Sequence, residues 1–205
     1  MSQIALPLEL PGEAETIVGG PSLTPVFAAL QASASWPYRT AILSGPSRSG
    51  KSLFARWFAG SGAGEAIDDA DLGDEEALFH RWNRAQAKDR ALLLVAREGW
   101  RIALPDLSSR LGAALMLGIG APDDALLRAL IVEHARRRGL AVGEPVLDWL
   151  APRLERSHAA AEALVATLDR LSLERKAPVS LALARDALAE RVHGIADGQW
   201  QPRLL

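Results

Sequence analysis

No cysteine occurs among the 205 residues. Disulfides and thiolate metal sites are therefore excluded, and the composition suits a reducing cytoplasm. Charge of one sign is also scarce in excess: 23 Lys and Arg against 25 Asp and Glu leave a formal net charge of -2. A single-domain reader of bare nucleic acid is expected to be clearly basic, so direct DNA binding is expected to be weak or absent. Long hydrophobic runs are missing, and a stretch such as "ALLLVA" is far too short to cross a bilayer. The opening "MSQIALPLELPGEAE" has no basic n-region and no long apolar run, so no secretory signal is expected there. His80, His134, His158 and His193 are scattered, with no spacing that would close a metal site. What the chain does have is apolar content, 49% of its residues. That suffices for one sizeable core, or for a core plus a small second lobe.

Residues 1–22 are rich in Pro, Gly and acid and read as an extended arm and linker. A helix is expected from Thr24, capped by that threonine, with Pro25 in its first turn where a missing N–H costs nothing. "TAILS" at 40–44 reads as a buried strand and "KSLFARWFAG" as the helix that follows, ending at Gly60. "EEALFHRWNRAQAKD" has the 3.6-residue period of an amphipathic helix. "ALLLVA" at 91–96 is nearly continuously apolar, as in an inner parallel strand covered on both faces. A short helix is expected from Pro105, and "LMLGIG" is expected to be another inner strand. Strand–helix alternation of this kind predicts a three-layer α/β sandwich. Beyond Gly120 everything reads as helix, with Asp123 or Asp124, Ser157 and Ser180 as N-caps and Gly139 as a stop. The domain expectation is an arm over 1–22, an α/β base over 23–120, a small all-helical lid over 121–193 and a tail over 194–205.

The segment "GPSRSGKS" fits G-x-x-x-x-G-K-[ST] without a mismatch, and it lies between a strand and a helix, as that pattern requires. A phosphate needs many donors converging without crowding. Glycines let successive N–H groups point inward, and the helix start adds free N–H groups and positive potential. Gly45, Pro46, Ser47, Arg48, Ser49, Gly50, Lys51 and Ser52 are thus the candidate nucleotide cradle. Lys51 would reach the β- and γ-phosphates, and Ser52 would hold Mg²⁺ through its hydroxyl. Hydrolysis asks in addition for an acid at the end of a neighbouring strand and a group that polarises water. Asp68 is the candidate magnesium contact and Asp69 the candidate water-orienting acid. Only Ala66 and Ile67 precede them as apolar lead-in. The sheet therefore either lacks one strand–helix unit or has an unusually short acid-bearing strand. Arg110, by its chemistry alone, reads as a solvated helix arginine.

Four pieces, "QIALPL", "GPSRSGKS", "DDADLGDEEALFHRWN" and "LPDLSSRLGAALMLGIGAPDDALLRALI", together with the helical end "LERSHAAAEALVATLDRLSLERKAPVSLALARDAL", carry a family resemblance. The chain resembles the Hda-like regulatory inactivators of the bacterial replication initiator, a branch of the DnaA-type AAA+ proteins, over roughly residues 3–190. The resemblance implies a P-loop AAA+ base with a helical lid. It implies ADP or ATP as cofactor, with Mg²⁺, and two partners, the DNA polymerase sliding clamp (its beta subunit) and the initiator DnaA. It implies stimulation of hydrolysis of the ATP held by the initiator, which prevents re-initiation. It assigns Arg110 as an arginine finger offered in trans. It also assigns Gln3, Ile4, Leu6, Pro7 and Leu8 to a clamp-binding motif, in which Gln3 bonds a groove wall, the apolar side chains insert and Pro7 limits the entropy lost. Self-association is left open.

The chain also departs from that pattern. The position of the lid's sensor arginine aligns with Glu162, an acid that would repel phosphate. Arg156, two turns earlier, is the nearest alternative. The end of "ALLLVAREGW" has no obvious polar sensor, with Arg97 and Glu98 the nearest polar groups. These departures keep two other readings in play, a self-contained P-loop ATPase and a nucleotide-free interaction module. The arginines of "ARRRG" at 135–139 read as a solvated helix end, and Trp57, Trp82 and Trp149 as core or interface anchors.

Overall fold

The computed structural model describes residues 8–9 and 16–196, which divide into two compact units, one up to Ala121 and one from Pro122. In the first unit a short antiparallel pair, β1 (Leu8–Glu9) and β2 (Thr16–Ile17), precedes α1 (Thr24–Gln31). Then come β3 (Thr40–Gly45), α2 (Lys51–Gly60), β4 (Gly64–Ile67), α3 (Glu75–Ala87), β5 (Ala91–Arg97), α4 (Pro105–Leu111) and β6 (Leu115–Gly118). β3 to β6 form one parallel four-stranded sheet in the order β4-β5-β3-β6.

The strand that sequence marks as most apolar takes the inner place. Ala91 to Ala96 of β5 are all buried. Side chains alternate along a strand, so each face has its own cover. Ile42, Leu92 and Leu94 pack with Leu78, Trp82 and Ala85 of α3 and with Leu107 and Leu111 of α4. α2 packs along β3, β4 and β5, and its Phe54 and Phe58 lie outside that cluster, on the opposite face. The unit is a three-layer α/β sandwich.

Three local expectations need correcting. Leu23, not Thr24, is the N-cap of α1; Thr24 is already helical, and its hydroxyl donates back to the Gly20 carbonyl at 3.5 Å. β6 is an edge strand rather than an inner one, with Met116 62% exposed, because no described strand pairs with its far side. Its apolar composition serves one covered face, at Leu115 and Leu117. The acid-bearing strand does not adjoin the cradle strand: β5 lies between β4 and β3. β4 has four residues, and α2 is the single α-helix between it and β3.

The second unit holds α5 (Asp124–Arg137), α6 (Glu144–Leu150), α7 (His158–Arg175) and α8 (Leu181–Ala196). Asp123 caps α5, accepting from the Leu126 N–H at 2.8 Å, and Ser157 caps α7, accepting from Ala160. Ser180 accepts from Leu183 at 3.3 Å. The core is aliphatic, centred on Leu127, Ile131, Leu150, Leu164 and Leu168. Arg136 and Arg137 pair with Glu133, and Arg138 with Asp169, so the basic turn is largely compensated within the unit. Arg156 is exposed and pairs with Asp124 at 2.8 Å. No described helix is long and apolar enough to cross a membrane.

Candidate nucleotide cradle and exposed arginine

β3 delivers the chain to the cradle and α2 takes it away. Gly45 is buried, and a Cβ there would come within 2.9 Å of the Ile119 carbonyl and 3.2 Å of the Ser49 hydroxyl, so only glycine fits without movement. Gly50 stands at φ +85°, the left-handed region that other residues enter at a cost, and it turns the loop into α2. The backbone N–H groups of Gly50, Lys51 and Ser52 have no hydrogen-bond acceptor among the described residues. They are the free donors of a helix start. Ser49 is 3% exposed, and its hydroxyl also has no partner there. Lys51 lies back over the loop, its Nζ donating to the Gly45 carbonyl at 2.8 Å and to the Pro46 carbonyl at 2.7 Å. A buried unpaired hydroxyl is costly. Together with three free N–H groups and one ammonium around a glycine turn, it forms a donor set that suits a polyphosphate. Pro46, Ser47 and Arg48 are exposed on the rim, with Arg48 at φ +64°.

The two candidate acids follow β4 directly. Asp68 and Asp69 are both exposed; Asp68 accepts from the Asp69 N–H at 3.1 Å, and Asp69 has left-handed backbone at φ +47°. The acid that sequence reasoning missed is Asp71. Its side chain is only 4% exposed. It accepts from the Arg97 backbone N–H at 3.3 Å and from the Arg97 Nε at 2.5 Å. Burial pushes its pKa up, but the hydrogen bonds and charge of Arg97 outweigh that and hold it below the usual carboxylate value. The signal was present as a third acid in "DDAD", but its role depends on a contact across 26 positions.

Arg110 lies exposed in the last turn of α4. Its guanidinium sits 5.0 Å from the ring centre of Phe79 and 4.7 Å from that of Trp82, both on α3. Trp82 is itself fixed, donating through Nε1 to the Thr40 hydroxyl at 3.0 Å in the core. No carboxylate among the described residues pairs with Arg110, whereas most other described arginines do pair with one. Of the N-terminal motif, Gln3, Ile4, Leu6 and Pro7 lie outside the described residues, and Leu8 begins β1. Glu162 is half-buried on α7, where its charge acts on His134.

No protein-family model matches the chain. Over 120 residues, 57% of this chain, it is 27% identical to the chromosomal replication initiator protein DnaA of Thermomicrobium roseum, and the match spans 26% of that protein's length. Its fold is similar to domain III of the Thermotoga maritima replication initiation protein DnaA, with a TM-score of 0.68 at 16% identity, covering 85% of this chain and 94% of that one. It is also similar to replication initiator DnaA bound to AMPPCP and single-stranded DNA, with a TM-score of 0.58 at 15% identity over 78% of this chain and 66% of that one. The parallel sheet, the cradle between β3 and α2 and the helical second unit give the chain the fold of DnaA-type AAA+ proteins, and over part of its length its sequence is similar to one of them.

Proposed function

We propose that the chain is a replication-regulatory adaptor of the Hda-like kind, acting in the cytoplasm on a partner's nucleotide. The observation that carries this reading is Arg110: an exposed guanidinium, seated on two rings and left without a carboxylate partner among the described residues. Such a seat orients a guanidinium without neutralising its charge. An arginine that must meet a γ-phosphate across an interface gains orientation and keeps its full charge. In this reading Gln3 to Leu8 bind the sliding clamp, and Arg110 supplies positive charge as ATP bound to the initiator DnaA is cleaved.

The cradle holds ADP or ATP through the N–H groups of Gly50 to Ser52 and through Lys51. Mg²⁺ would offset phosphate charge there, and Ser52 and Asp68 are the residues that would hold it. Turnover in the cradle is slow, because Asp68 and Asp69 stand exposed after a four-residue edge strand. The competing reading, a self-contained ATPase, makes Asp69 the decisive residue.

A reconstituted reaction of ATP-loaded initiator, DNA-loaded clamp and this protein, followed by ATP loss, separates the two. The expected result is stimulation that falls at least about 1000-fold in Arg110→Ala, within the range known for trans arginines, and is unaffected in Asp69→Asn. Stimulation that survives Arg110→Ala refutes the adaptor mechanism. Fast turnover by the isolated protein that depends on Asp69 establishes the alternative.

A further inference from the structure

Just before β3, a large aromatic side chain stands in solvent on backbone that few residues adopt. Tyr38 is 62% exposed. It has φ +49° and ψ +31°, and Arg39 after it has φ +50°. Two consecutive left-handed residues other than glycine are costly, and they persist where surrounding contacts enforce them. Here α3 and β3 supply those contacts. The Tyr38 carbonyl accepts from Gln86 Nε2 at 2.6 Å and from the Thr40 hydroxyl at 2.8 Å. Arg39 pairs with Asp89 at 2.9 Å. These bonds hold the main chain and leave the ring outside.

The same stripe of α3 serves Arg110. Phe79, Trp82 and Gln86 are spaced three and four residues apart and share one side of the helix. Phe79 and Trp82 carry the Arg110 guanidinium, and Gln86 holds Tyr38. Thr40 completes the link: its hydroxyl accepts from Trp82 Nε1 at 3.0 Å and donates to the Tyr38 carbonyl. Trp82 and Thr40 thus connect the two exposed side chains. Lys88 and Arg90, on either side of Asp89, are exposed and have no carboxylate partner among the described residues.

We infer that Tyr38 is an anchor for the partner whose nucleotide Arg110 meets. Its ring enters an apolar pocket on that protein, and Lys88 and Arg90 face carboxylates at the pocket's edge. The inference rests on the role proposed for Arg110. A tyrosine on enforced backbone presents a large contact area and has little freedom left to lose on binding. Asp89, 76% exposed between the two cations, would repel a phosphate backbone but suits a protein surface of mixed charge.

Titrating this protein into the reaction of ATP-loaded initiator and DNA-loaded clamp tests it. Tyr38→Gly removes the ring, and glycine takes the left-handed backbone readily. That variant is expected to melt no lower than wild type and to reach the wild-type maximal rate. Its half-saturating concentration is expected to rise about tenfold, the scale of an interface anchor. Tyr38→Phe is expected to match wild type. Lys88→Ala with Arg90→Ala is expected to flatten the salt dependence of the half-saturating concentration; an unchanged dependence overturns the part given to the two cations. Wild-type half-saturation in Tyr38→Gly, with stimulation still lost in Arg110→Ala, overturns the inference and leaves the Arg110 reading intact. A Tyr38→Gly protein that melts well below wild type assigns the ring to the fold and overturns it too. So does an equal loss of affinity for a labelled DNA duplex, which would make DNA the ring's partner. Stimulation absent in the wild type, or surviving Arg110→Ala, overturns the Arg110 reading and this inference with it.

Discussion

The guanidiniums of Arg110 and Arg97 are held by different means. Arg110 lies over Phe79 and Trp82, which constrain its plane without cancelling its charge. Arg97 is gripped at Nε by a carboxylate. Because Trp82 is buried and bonded to Thr40, changing it would disturb the core; Phe79 is the cleaner probe. Phe79→Leu keeps apolar bulk and removes the ring quadrupole. It is expected to lower the maximal rate of stimulated initiator hydrolysis by about 3- to 10-fold, the worth of one such contact, with the half-saturating concentration unchanged. In an Arg110→Ala background it should have no further effect. A Phe79→Leu loss that persists without Arg110 would mean that the ring serves the fold and not the arginine. The cradle glycines have different reasons: a left-handed turn requires Gly50, whereas Gly45 is crowded by the Ile119 carbonyl, a contact only the tertiary structure makes.

At the scale of elements, α5 and α7 bring a titratable group into the helical unit's interior. His134 is half-buried on α5. Burial lowers its pKa, and Arg137 and Arg138 push the same way, while Glu162 of α7 and Glu133 oppose them; the net position is below the ordinary 6.5. The unfolded chain therefore takes up the proton first. The contribution to stability is complete above pH 6.5 and declines as the pH falls from there through the folded-state value. Denaturation of the helical unit, followed at pH 7.5 and 5.5, is expected to show lower stability at the acid end. His134→Gln is expected to flatten that difference, because the group that protonates is gone. An equal difference in both proteins would assign the pH response to other groups.

At the scale of the whole molecule, an α/β unit with a candidate nucleotide cradle and an all-helical unit are joined at Ala121 and Pro122, and the proposed clamp-binding residues stand near the start of the chain. Delivery and chemistry then belong to different segments, which makes them separable. Binding to immobilised clamp is expected to weaken by about tenfold or more in Gln3→Ala, as for the loss of a central interface contact. Arg110→Ala should bind the clamp as wild type does while failing to stimulate the initiator. Clamp affinity that is indifferent to Gln3 would remove the delivery step from the proposal and leave the Arg110 test untouched.

Much of this was legible in the sequence, because the signals are local. An unbroken apolar run gave the inner strand at 91–96, and a strand–glycine–helix sequence gave the cradle. Capping side chains gave the starts of α5 and α7. The edge position of β6 escaped it, since "LMLGIG" cannot say how many strands will flank it. So did the separation of β4 from the cradle strand, because strand order is a matter of crossover and not of local pattern. The seats of Arg110 and Arg97 escaped it for the same reason. Sequence alone determined the glycine turn between β3 and α2 and its lysine and serine as a candidate phosphate cradle, because the pattern lies in a few adjacent residues. Only the tertiary structure decided which acid is buried and which arginine stands beside Gly45. It also decided which guanidinium lies on aromatic rings, because each of those contacts joins segments tens of residues apart.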